Sequence, residues 1–244
     1  MLQHRKLDPI RQDPTSQLET RTPRHVEVLD GVANELMPPV WALGMQLSAL
    51  RLPADLTPRE RRFVEDVERH LGRIVRVLAG AHDFVLAETD GELPLVTRRC
   101  EMGAICEEAV EQLRELGVDD PIAVDGYGSG AGVWDPHRLA QAISYLVEAA
   151  LAAAPADTVI RVRWRGTEGE VLLVVDRDAR PEDAAGARID PDFGAAAGTG
   201  PEDGVRTFVA RKILDQHGAT LARFATDETV TLVAVIPRTN PALA

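Results

Sequence analysis

The sequence predicts an α+β protein in which a long antiparallel helical hairpin precedes a two-layer α/β sandwich. Two observations carry that prediction. Apolar residues recur at heptad spacing in two neighbouring stretches, 26–50 and 58–85, the spacing of helices packed along each other. Beyond residue 91 the period changes: short apolar or alternating runs, as strands require, interleave with helical patterns at 105–116, 136–153 and 205–217.

Bulk properties narrow the function classes. A chain of 244 residues holds one large domain or two modest ones, and 45% apolar with 27% charged residues is an ordinary globular balance. The net charge is −12 and no dense basic cluster occurs, which argues against nucleic acid and against an anionic membrane surface. Cys100 and Cys106 are the only cysteines and form no CxxC pair, so inert thiols in a reducing interior are expected. No run of eighteen apolar residues and no signal-peptide pattern is present, so a cytoplasmic protein without membrane insertion is expected.

Residues 1–24 are polar, carry Pro9, Pro14 and Pro23, lack periodicity, and read as a disordered tail. Residues 25–90 read as the hairpin. In its first helix Ala33, Val40 and Leu47 take one seam position, and Leu29, Leu36, Leu43 and Leu50 the other. Pro38 and Pro39 fall inside this pattern, where a proline costs about 3 kcal/mol, so a bend is expected there. RLPADLTPRE then breaks the helix. Thr57 suits the N-cap, Pro58 the first helical position, and Glu60 completes a capping box. The second helix repeats the seam through Val64, Val67, Leu71, Ile74, Leu78, Ala81 and Val85. A lone hairpin cannot bury both stripes, so a homodimeric four-helix bundle is expected. About seven seam residues per helix, at roughly 1.5–3 kcal/mol each before entropy is subtracted, would support it.

Residues 91–244 read as the sandwich. Strands are expected in VTRRCEM, at 121–124, at 132–134, in TVIRVRWRG and EVLLVVDRD, and at 220–224 and 230–236. Residues 178–203, rich in Ala, Gly, Asp and Pro, read as a loop.

Three local patterns stand in order along this part: DPHRLAQAI (135–143), VVD ending at Asp176, and ARKILDQHG (210–218). Together with the hairpin they resemble the core of a bacterial sensor histidine kinase, over residues 26–238. The resemblance implies a dimerisation and phosphotransfer hairpin followed by an ATP-binding domain of the Bergerat type. It also gives the double proline a meaning. The family's phosphoacceptor motif, His-Glu-Leu-Arg-Thr-Pro, lies over Asn34, Glu35, Leu36, Met37, Pro38 and Pro39. Glu35, Leu36 and the bend proline Pro39 are retained, but Asn34 stands where the histidine would. An amide nitrogen's lone pair is delocalised and cannot attack a γ-phosphate as an imidazole does. The position from which relatives orient water for dephosphorylation is Pro38, which has no polar side chain.

The resemblance implies erosion of the nucleotide site as well. The two asparagines of the family's metal-binding helix correspond to Tyr145 and Ala149, and Ala149 offers no oxygen to Mg²⁺. Asp176 matches the aspartate that reads adenine, whereas Asp178 and Arg180 replace the two glycines that follow it. In the second glycine box Gly204 matches one glycine and Arg206 replaces the next, with the GTG at 198–200 as a displaced remnant.

The expectation is therefore a catalytically degenerate member with no catalytic residue. It would act by dimerising and by binding a response-regulator receiver domain or a partner kinase around Asn34, Glu35, Met37 and Trp41. No cofactor and no metal are expected, and ATP or ADP held without catalysis through Asp176 and Gly204 stays open. So do two alternatives: a working kinase or phosphotransferase using His82 or His70, and a nucleotide-sensing protein. His82 precedes an acidic residue, as the family's phosphoacceptor often does, but it lies late in the second helix. Hydrolase signatures of the G-x-S-x-G or HExxH kind are missing.

Overall fold

Helices α1 (Arg24–Leu50) and α2 (Pro58–Thr89) lie along each other as the two heptad runs require. They belong to a computed structural model that describes residues 24–50, 56–89, 91–155, 158–178, 188–194 and 204–239. The predicted tail at 1–23 and the chain between the helices at 51–55 lie outside the described residues. Helix α1 is not terminated at Pro38 and Pro39. The start of α2 is built as the capping box demands: the Thr57 N–H donates to Glu60 Oε2 at 2.8 Å, and the Glu60 N–H returns to Thr57 Oγ1 at 3.3 Å.

The seam sorts into two groups. Ala33, Val64 and Leu78 are buried, and Val40, Leu47, Val67 and Leu71 are half-buried. Leu36, Leu43 and Ile74 remain exposed on this single chain. Leu29 and Leu50 lie in α1, with side chains outside the described set.

The sandwich follows in the order β1 (Arg98–Glu101), α3 (Met102–Glu115), β2 (Ile122–Tyr127), β3 (Ala131–Trp134), α4 (Pro136–Ala153), β4 (Ile160–Gly166) and β5 (Glu170–Asp178). It closes with β6 (Arg188–Asp190), α5 (Val205–Gln216), β7 (Thr220–Ala225) and β8 (Thr229–Pro237). One six-stranded sheet has the order β2-β4-β5-β8-β7-β6, and β1 with β3 forms a separate antiparallel ribbon. Within the large sheet only β2 and β4 run parallel. Strand β6 corrects the reading of 178–203 as loop throughout. Three residues, Arg188–Asp190, pair with Ala225–Arg223 of β7, too short a run to show periodicity in the sequence.

Alternation decides which side of the sheet carries the core. Ile160 and Val162 of β4, Val171, Leu173 and Val175 of β5, and Leu232, Ala234 and Ile236 of β8 are buried. They pack in one cluster with Leu139, Ile143 and Leu146 of α4 and Phe208 and Ile213 of α5. The opposite face carries Arg161, Arg163 and Arg165 beside Leu172, Val174 and Asp176.

A glycine at every second position from Gly126 to Gly132 has a packing cause. A Cβ on Gly126 would sit 2.0 Å from Trp164 Cε2, so only glycine leaves room for the indole there. Gly128 turns the chain with φ +86°, a conformation that costs other residues dearly.

The capping box generates a test. Thr57→Ala should lower unfolding stability by about 1 kcal/mol, read from urea denaturation followed by helical circular dichroism. A change below a few tenths of a kcal/mol would mean that the pair contributes nothing.

Candidate functional site

Two regions concern function: the surface of the hairpin and the layer between α4 and the sheet. On α1 the residues at the degenerate phosphoacceptor motif, Asn34, Glu35, Leu36, Pro38 and Pro39, are exposed, and Met37 is half-buried. A helix period of 3.6 places exposed apolar side chains on two different flanks of the hairpin. Val32, Leu36 and Leu43 of α1 share one flank with Ile74 and Val77 of α2. On the other flank Trp41, 61% exposed, and Met45, 73% exposed, border a groove of about 660 Å³ with Gly44, Glu68, Leu71 and Val75. Asn34 lies on the Trp41 flank, seven residues or about two helical turns away. The histidines of α2 are placed differently: His70 is exposed with Nδ1 2.6 Å from the Asp66 carbonyl, and His82 is half-buried.

The second region reveals a parity error in the sequence reading. Asp176 lies opposite Arg161 in the β4–β5 register, on the face without helices. It is 5% exposed there, with Arg163 Nη2 2.8 Å from Oδ1 and Arg161 Nη1 3.5 Å from Oδ2. It is therefore not aimed into the layer between helices and sheet, which corrects its assignment as the adenine-reading residue. The residue turned into that layer is Arg177, 1% exposed and directly opposite Val230. Its Nη1 donates to the Asp178 carbonyl at 2.9 Å. Among the described residues a void of about 10 Å³, room for a single water, is lined by Ala149, Ala150, Arg177, Phe193, Val230 and Leu232.

The positions carried over from the metal-binding helix do not fit Mg²⁺. Ala149 is buried and presents a methyl group. The Tyr145 hydroxyl accepts from Gln141 Nε2 of its own helix at 3.2 Å and lies so near Gly80 of α2 that a Cβ there would come within 3.1 Å. Burial raises the Tyr145 pKa, which keeps the phenol protonated. Gly204 is the N-cap of α5, half-buried. The GTG at 198–200 and Arg180 lie outside the described residues.

The two best-preserved motifs meet in space and do structural work. Asp135 caps α4, Oδ1 accepting the Arg138 N–H at 3.0 Å, while Oδ2 accepts the Val96 N–H at 2.7 Å. Its own N–H donates to His217 Nε2 at 3.0 Å. His217 is fully buried, with Nδ1 2.7 Å from the Ile213 carbonyl, so the ring is neutral and carries its proton on Nδ1. One imidazole thus joins the start of α4 to the end of α5.

Reading by motif missed Arg177 and the charged contacts of α2 with α4 and α5. Both were traceable: counting by twos from Val171, Leu173 and Val175 reaches Arg177, and Gly72 and Gly80 mark a helix face under close approach.

No family model matches the chain, and no curated protein matches its sequence. Solved structures do match in fold. The histidine kinase AdeS of Acinetobacter baumannii superposes with a TM-score of 0.54 at 12% identity, covering 84% of this chain and 98% of that one. Full-length ShkA in complex with AMPPNP superposes with a TM-score of 0.59 at 15% identity, covering 88% of this chain and 46% of that one. The chain therefore has the histidine-kinase-like core fold. Among the described residues no helix is long and apolar enough to cross a membrane.

Burial lowers the pKa of His217 below the ordinary 6.5, against smaller opposing effects of the Ile213 bond and Asp135. The unfolded chain then binds this proton more readily than the folded one. Stability from the neutral ring is complete above pH 6.5 and is lost as pH falls through the lower folded value. The urea midpoint should therefore drop between pH 7 and pH 5, with a smaller drop in His217→Gln. Equal pH slopes in both proteins would contradict this.

Proposed function

We propose that this chain is a catalytically degenerate, histidine-kinase-like protein of two-component signalling that works by binding. It dimerises through the Leu36, Leu43, Ile74 and Val77 flank of its hairpin. With the Trp41 flank, next to Asn34, Glu35 and Met37, it docks a response-regulator receiver domain or, in the same role, a partner kinase. The observation that supports this reading is the set of side chains lining the layer under α4. Arg177 occupies it, Asp176 faces away, and Ala149 supplies no metal ligand. Phosphoryl transfer depends on positioning nucleotide and metal, and in this reading these side chains position neither, which leaves the chain its surfaces.

The two flanks suit two occupants. Burying an aliphatic side chain contributes about 1.5–3 kcal/mol, and the Leu36 flank presents several at spacings that a second hairpin can match. Trp41 is a large aromatic at the edge of a groove, the kind of side chain that anchors a protein interface. The sandwich then serves as a fixed body attached to the docking hairpin, and no bound nucleotide is needed for either contact.

Substitutions on the two flanks separate the functions. Trp41→Ala should weaken binding to a receiver domain, identified by co-purification from cell extract, by at least about 30-fold, equivalent to about 2 kcal/mol. Its sedimentation as a dimer should not change. Leu36→Glu with Leu43→Glu should yield monomers. Wild-type monomers at micromolar concentration, or receiver binding indifferent to Trp41, would defeat the reading.

A further inference from the structure

One face of α2 does not belong to the hairpin. Arg73, Arg76, Gly80, Asp83 and Phe84 recur at three- and four-residue spacing and all meet the sandwich. Arg73 Nε donates to the Leu116 carbonyl at 2.8 Å, beyond the end of α3. Gly80 lets the Tyr145 hydroxyl reach the helix backbone. Asp83, itself buried, pairs with Arg138 at 2.8 Å and accepts from Gln141 Nε2 at 2.6 Å. Phe84 meets Phe208 of α5 edge-on, ring centroids 5.2 Å apart.

The centre of this contact is ionic. Glu148 of α4 divides its two oxygens between helices that flank it. Oε1 lies 3.2 Å from Arg76 Nε of α2, an ion pair off the hydrogen-bonding direction, and Oε2 accepts from Arg206 Nη1 of α5 at 2.6 Å. The side chains of Arg76 and Glu148 are mostly buried. Both guanidinium groups lie over the Tyr145 ring, at 4.9 Å and 6.0 Å from its centroid, and Glu148 bridges the two cations.

We infer that Glu148 is the keystone of a latch, set between Arg76 and Arg206, that holds the helical hairpin and the sandwich as one body. Without this carboxylate the mostly buried Arg76 and the 40% exposed Arg206 would face each other as like charges, and leaving the buried Arg76 without its partner costs more than losing a surface pair. Gly72 and Gly80 bring the helices close enough for the short ionic contacts, and the Asp83–Arg138 pair fixes the next turns of α2. The latch rests on α2, α4 and α5 alone and holds whether or not the chain binds nucleotide.

Hydrogen exchange on the full-length protein tests it, with Glu148→Ala and the milder Glu148→Gln beside wild type. Amides at 72–84 and in the first turn of α5 should exchange at least about tenfold faster in both variants, while β5 keeps its protection. Adding Arg76→Ala to Glu148→Ala should accelerate exchange little further, because both changes break the same contact. Unchanged exchange at 72–84 in Glu148→Gln overturns the latch. Loss of β5 protection in that variant also overturns it, since the network would then be part of the sandwich core.

Discussion

Side chains on a strand alternate between its two faces, and on β5 that alternation puts a cation where a ligand would have to enter. Val171, Leu173 and Val175 point to the helices because the core requires them there, and the next inward position is Arg177. A guanidinium group cannot shed its charge by deprotonating at any physiological pH. Once buried it must be accommodated where it stands, and here Ala149, Ala150, Phe193, Val230 and Leu232 close around it. The same alternation turns Asp176 outward to Arg161 and Arg163, so the one retained carboxylate of the glycine box serves the sheet surface instead.

The motifs around Asp135 and His217 have structural roles in this fold. Asp135 and His217 are a joint between α4, α5 and the segment around Val96. Tyr145 and Glu148, on the helix that would hold a metal, belong instead to the contact with α2. On the hairpin surface Trp41 and Met45 stand exposed on one flank and Leu36 and Leu43 on the other.

What the sequence made legible was local or periodic. The heptads, the Thr57–Glu60 box and the helix at Pro136–Ala153 are signals carried within a few turns of chain, and the structure shows each of them. Helix α3 begins at Met102, three residues before the position its apolar spacing suggested, since Gly103 and Ala104 add no seam residue. The site was harder because it depends on long-range placement. Matching Asp176 by motif ignored the pleat, and the pleat decides the face. The Arg73, Arg76, Gly80 and Asp83 stripe looks like a solvated helix surface until α4 and α5 are set against it. Arg188–Asp190 is a strand only because β7 lies beside it.

Calorimetric titration of the full-length protein with ATP and Mg²⁺ puts the closed layer to its most direct trial. The proposed degenerate reading predicts no saturable binding tighter than about 1 mM. Saturation in the low micromolar range that requires Mg²⁺ would show that the layer under α4 opens to nucleotide, and that this chain still runs the chemistry whose shape it keeps.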